Sequence, residues 1–183
     1  MPVTERPARR AFLGMAAAAA ATTLIAAPAL AIPRVSMRRT LAFHNLHTGE
    51  SLDLCYWAEG NYLPEATQRI EYLLRDFRNN QVHRIDPRLL DLLTTLRARL
   101  NTSAPYQVIS GYRSPETNAM LQRTTEGVAG NSLHLQGQAI DLRVPGRSLA
   151  AVHRTALALQ AGGVGYYPRS DFVHVDVGRT RRW

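Results

Sequence analysis

The sequence predicts an α+β fold with a mainly antiparallel sheet and flanking helices. Three observations carry this expectation. Stretches of alternating polarity lie at both ends of residues 32–183, and helix starts marked by a cap residue plus proline lie between them. The two kinds of element do not alternate as regular βαβ units, which argues against a parallel doubly wound sheet.

The elements follow in order. Residues 39–44 and 51–57 alternate in polarity around the turn-like Asn45-Leu46-His47-Thr48-Gly49-Glu50, the pattern of a β-hairpin. Residues 64–77 place Ile70, Leu73, Leu74 and Phe77 at helical spacing. Asp86-Pro87 supplies an N-cap and a proline at the first helical position, opening a helix through Leu89, Leu93, Leu96 and Leu100. Residues 106–110 read as a short strand. Ser114-Pro115-Glu116 repeats the cap-plus-proline signal and starts a helix to about Arg123. Residues 124–131, with Gly127 and Gly130, form a loop, and residues 138–144 form a strand. Ser148 caps a helix to Gln160, Gly162-Gly163 ends it, and residues 164–167 and 172–177 make a closing strand pair. No internal repeat or linker interrupts residues 32–183, so they are expected to form a single domain.

Residues 1–31 read differently. Arg9-Arg10 is followed by Ala11-Phe12-Leu13, an uncharged Ala-rich run and the small-x-small site Ala29-Leu30-Ala31. This is the layout of a twin-arginine signal peptide, with export to the periplasm through the twin-arginine translocase as its consequence. The alternative is a membrane anchor, but the run is short and Ala-rich beside the roughly 20 strongly apolar residues that a span needs. The single cysteine, Cys55, excludes an intramolecular disulfide and sits in an alternating stretch as a packing residue.

The formal charge is +8, and every basic residue is arginine. Residues 1–31 contain Arg6, Arg9, Arg10 and Glu5, so the remaining domain keeps +6. A basic surface suits an anionic polymer. Export directs that expectation to the cell wall and away from nucleic acid, and no basic run with interleaved aromatics suggests base stacking. Nothing in the sequence fixes the oligomeric state.

The candidate site lies in the last third. Ser132-Leu133-His134-Leu135-Gln136-Gly137-Gln138-Ala139-Ile140-Asp141 precedes Phe172-Val173-His174-Val175-Asp176. Two histidines and a carboxylate are a catalytic zinc ligand set, with a fourth position left for water. Spacing alone leaves coincidence open, because a pair of histidines with an aspartate is common. Asp176 and Ser132 either orient a ligand histidine from behind or face solvent. Tyr166 or Tyr167 is expected to touch a peptide, or else to pack. His47 reads as a turn residue.

The combination of Ser132-x-His134-x-x-Gly137-x-Ala139-x-Asp141, His174 and the upstream Ser110-Gly111-Tyr112-Arg113-Ser114 resembles the zinc D-Ala-D-Ala metallopeptidase group with its hedgehog-like fold. Within that group the chain is similar to the YcbK-type murein endopeptidases over nearly all of residues 32–183, including Leu74-Arg75-Asp76-Phe77-Arg78. The resemblance implies His134, Asp141 and His174 as zinc ligands and Arg113 facing the substrate. It also implies Asp171 as general base, since dipeptidases of the group carry a glutamate three residues before the last histidine ligand. The expected substrate is then a peptide cross-link of peptidoglycan stem peptides, either D,D or L,D. The rival readings are a D-alanyl-D-alanine-type carboxypeptidase and a non-catalytic zinc-stabilised peptidoglycan-binding domain.

Overall fold

Among the described residues, eight strands build one mixed sheet in the order β3-β2-β1-β4-β5-β7-β6-β8. The computed structural model describes Met1, residues 37–125 and residues 129–183. The expected signal segment, Met1 aside, and residues 126–128 of the expected loop lie outside the described residues. Among the described residues no helix is long and apolar enough to cross a membrane.

The predicted hairpin is β1 (Arg38–Asn45) against β2 (Ser51–Ala58), with β3 (Asn61–Tyr62) added to its edge. β4 (Tyr106–Ser110) pairs parallel to β1 and antiparallel to β5 (Ala139–Arg143). β7 (Phe172–Asp176) lies between β5 and β6 (Gly163–Tyr167), antiparallel to both, and β8 (Arg181–Arg182) runs parallel on the outer edge of β6. Most pairings are therefore antiparallel, as the sequence predicts. The edge strands β3 and β8 were not predicted, since two residues carry no periodicity.

The helices are α1 (Pro64–Leu73), α2 (Pro87–Arg99), α3 (Pro115–Thr124) and α4 (Leu149–Leu159). The caps act as read from sequence. Asp86, Ser114 and Ser148 each accept a backbone N–H of the first turn, from Arg88, Thr117 and Ala151. α1 is shorter than predicted and ends at Leu73. Continuing it would require the Leu74 carbonyl to accept from Arg78, but that carbonyl accepts the Tyr112 N–H at 2.7 Å. The Asp76 carboxylate takes the Arg78 N–H instead, at 3.0 Å.

Alternation along the strands divides the sheet into two faces. Phe43, Val108, Ile140, Leu142, Val164, Val173 and Val175 join the leucines of α2 and Val152 of α4 in one apolar core. Asp141, His174 and Asp176 fall at the intervening positions of β5 and β7. The same period of two that buries the valines thus gathers the polar residues on the other face. Cys55 is half-buried on β2, with Sγ 3.2 Å from the Trp57 carbonyl oxygen.

Candidate metal centre

Asp141 and His174 are directly opposite each other in the β5–β7 register. His134 reaches them from a 3-10 turn, Leu133–Gln136, that ends on Gly137. Gly137 has φ +63°, and a Cβ there would collide with the Arg84 carbonyl oxygen. Its own carbonyl accepts the Asp86 N–H at 3.0 Å. Only glycine both turns the chain left-handed here and lets the backbones approach so closely.

The three side chains converge. His134 Nε2 is 3.2 Å from His174 Nδ1 and 3.3 Å from Asp141 Oδ1, and His174 Nδ1 is 2.9 Å from Asp141 Oδ1. All three residues are buried. Tetrahedral bonds of about 2.0–2.2 Å from one ion would separate such donor atoms by about 3.3–3.6 Å. The triangle, at 2.9–3.3 Å, is within a few tenths of an ångström of that spacing.

The outer hydrogen bonds fix the proton positions. His134 Nδ1 lies 2.7 Å from the Gly111 carbonyl oxygen, and His174 Nε2 lies 3.0 Å from Asp176 Oδ2. Both partners are acceptors, so each outer nitrogen donates its N–H, and in the neutral tautomers both inner nitrogens present lone pairs. Three acceptors then face one point with no proton donor between them. A divalent cation fits that arrangement, and the donor set of two imidazoles and one carboxylate suits zinc chemistry.

Asp176 is fully buried. It is held by the N–H groups of Gly163 and Gly178 at 2.9 and 2.8 Å, and by Arg181 at 2.7 Å. A Cβ on Gly162 would overlap the Asp176 carbonyl oxygen, so glycine admits this strand crossing. Burial opposes the charge on both carboxyls near His174. Even so, the two imidazoles hold Asp141 well below the usual carboxylate range, and His174 with the two backbone N–H groups does the same for Asp176. Burial likewise works against a charged His174, but Asp141 and Asp176 outweigh it and raise its pKa.

The triad opens into a cleft of about 670 Å³, within the size range of small-molecule sites. Arg113 lines it. The Arg113 N–H donates to the His134 carbonyl at 3.1 Å, its Nη1 donates to Asn118 Oδ1 at 3.3 Å, and its Nε is buried without a partner among the described residues. Tyr167 also lines the cleft, whereas Tyr166 stacks on His153, as alternation along β6 requires. Trp183 packs 5.2 Å from the His174 ring and donates from Nε1 to Tyr167 Oη at 2.6 Å.

Neither Asp171 nor Ser132 hydrogen-bonds a member of the triad. Asp171 does not line the cleft. It sits in a left-handed turn with φ +52°, more than half exposed, and pairs with Arg143 Nη1 at 2.6 Å. The left-handed turn and the basic end of β5 draw the carboxylate out, so this structure does not bring it to the triad as a base. Ser132 lines the cleft and starts the 3-10 turn, but it makes no hydrogen bond to either histidine; the Gly111 carbonyl occupies that position behind His134.

Sequence reasoning missed His47, Arg78 and Trp183 as cleft residues. His47 stacks on Phe77 with ring centroids 3.8 Å apart, and Arg78 lies over Phe77 at 4.2 Å. The available signal for Arg78 was its place in the Leu74-Arg75-Asp76-Phe77-Arg78 stretch that resembles murein endopeptidases, and His47 offered only its turn. Trp183 had none.

A mixed α+β sheet presenting a buried His-Asp-His triad at the base of an open cleft defines a metallopeptidase-type centre. The model of the family described as Peptidoglycan L,D-endopeptidase MepK matches residues 34–183, and the chain belongs to that family and is a peptidase. It is 41% identical over 175 residues to the Peptidoglycan L,D-endopeptidase MepK of Escherichia coli (strain K12), covering 96% of each chain. It is 40% identical over 176 residues to the Probable peptidoglycan L,D-endopeptidase MepK of Haemophilus influenzae (strain Rd), covering 96% of this chain and 95% of that one.

Proposed function

We propose that the chain is a zinc-dependent endopeptidase that acts in the periplasm on peptide cross-links of peptidoglycan, with the L,D link as its substrate. The observation that carries the metal reading is the convergence of three ligand atoms, His134 Nε2, His174 Nδ1 and Asp141 Oδ1, on one point. The L,D preference rests on the names of relatives 40–41% identical over nearly the whole chain. Their similarity covers 96% of this chain and so extends into residues 1–31. That extent, with Arg9-Arg10 and Ala29-Leu30-Ala31, supports export of a folded protein by the twin-arginine route.

His134 Nε2, Asp141 Oδ1 and His174 Nδ1 would hold the ion. When bound, zinc supplies a Lewis acid that polarises a carbonyl and lowers the pKa of a water. The protein residues do the rest. Gly111 and Asp176 lock the two imidazoles in the tautomers that bind metal. Arg113, fixed through its backbone to His134, directs a largely desolvated cation into the cleft, where it steadies the oxygen that becomes negative during amide hydrolysis. Tyr167 and Trp183 form an aromatic wall against which a peptide stem packs.

The experiment is digestion of purified L,D- and D,D-cross-linked muropeptide dimers, followed by chromatography. Zinc-dependent conversion of the L,D dimer to monomers supports the proposal. Intact dimers would reject the endopeptidase reading, and release of only a terminal D-residue would favour a carboxypeptidase.

A further inference from the structure

The motif Arg75-Asp76-Phe77-Arg78 is not absorbed by the metal centre, yet it is built into the cleft. Arg75 is buried and anchors the turn through Glu50 Oε2 at 2.7 Å and the Tyr72 carbonyl at 2.8 Å. The buried Asp76 carboxylate joins two loops. Its Oδ1 accepts the Arg78 N–H at 3.0 Å, and its Oδ2 accepts the N–H of Ser114, the residue after Arg113, at 2.9 Å. One carboxylate therefore holds the backbones that carry Arg78 and Arg113, and both side chains line the same cleft.

Neither guanidinium has a carboxylate within ion-pair distance among the described residues, whereas Arg39, Arg75, Arg88, Arg143 and Arg181 all do. Among the described residues the only carboxylate lining the cleft is Asp141, which is engaged by the two histidines. Arg78 is exposed and its guanidinium rests on the Phe77 ring, which is itself stacked on His47. A planar cation kept flat on an aromatic ring retains its N–H edge for a planar anion. The two cations, neither of them ion-paired among the described residues, repel each other, with Asp141 and Asp76 only partly offsetting this at Arg113, so an anion placed between them gains from both.

We infer that Arg78 is a specificity residue that binds a free carboxylate of the cross-linked peptide while Arg113 serves the scissile carbonyl. This inference rests on the peptidoglycan reading above. A diaminopimelate residue in a cross-link carries a carboxylate that is not part of the amide bond, and that group has the charge and planarity the guanidinium fork matches.

The test compares two L,D-cross-linked dimers, one with free diaminopimelate carboxylates and one with those carboxylates amidated, using the full chain as wild type and as Arg78→Gln. The wild type is expected to favour the free carboxylate by roughly 10- to 100-fold in kcat/KM, the range for a charge-assisted hydrogen bond. Arg78→Gln should remove that preference, chiefly through KM, and leave the amidated dimer cleaved as by wild type. Because Arg78 is exposed, the variant should keep the wild-type melting temperature. An unchanged preference in Arg78→Gln, or an equal loss on both dimers, overturns the inference while leaving the endopeptidase reading intact. Cleavage of neither dimer by the wild type removes that reading, and the inference with it.

Discussion

The Asp176 carboxylate lies 3.0 Å from His174 Nε2, on the far side of the ring from the nitrogen that faces Asp141. The imidazole is thus held between two carboxylates, one inside the donor triangle and one behind it. Replacing Asp176 with Ala removes the acceptor that fixes the His174 tautomer. Metal affinity should fall by roughly 10- to 100-fold, the usual effect of losing such a supporting carboxylate. Titration with zinc against a competing chelator checks this, and unchanged affinity would refute the orienting role.

Asp171 gives the opposite expectation. Its carboxylate is more than half exposed, paired with Arg143 and absent from the cleft wall. Asp171→Asn should change kcat by less than about threefold, because an exposed ion pair contributes little. The loss expected on removing a general base is about 100-fold or more. A loss of that size would show that the turn before β7 rearranges when substrate binds.

The Asp76 clamp predicts an acid sensitivity. Burial alone would raise the Asp76 carboxyl, but hydrogen bonds from the Thr117 side chain and the N–H groups of Ser114 and Arg78 outweigh it and hold the pKa below the ordinary value. A carboxyl depressed in the folded state adds stability that is complete above the unfolded value of about 4 and is lost as pH falls through the folded value. Asp76→Asn should therefore cost about 1–3 kcal/mol at neutral pH, with the deficit shrinking as pH drops below about 4. Denaturant unfolding of both proteins across pH 2–7 measures it, and a deficit independent of pH would contradict the assignment.

The sequence made some parts of this site readable and left others hidden, for physical reasons. His134, Asp141 and His174 were legible because strand alternation places Asp141 and His174 on the face opposite the valines, and because Gly137 marks the turn that His134 needs. Helix starts were legible because Asp86, Ser114 and Ser148 cap locally. The end of α1 was not, since the Leu74 carbonyl is taken by Tyr112, a partner far along the chain. His47, Arg78 and Trp183 were hidden for the same reason. The β1–β4 pairing, the Asp76 clamp and the edge strand β8 bring them to the cleft, and none of these leaves a periodic trace. The position of Asp171 away from the cleft was not legible, because its left-handed turn and its pairing with Arg143 are tertiary facts.

A metal held by His134, Asp141 and His174 is what should make the cleft hydrolytic. The most direct measurement is hydrolysis of an L,D-cross-linked muropeptide dimer by metal-stripped protein, by the same protein after one equivalent of zinc, and by His134→Ala treated identically. The stripped protein should show no turnover, zinc should restore it, and the variant should show neither zinc retention nor turnover. Equal hydrolysis by stripped protein, or by His134→Ala, would contradict it.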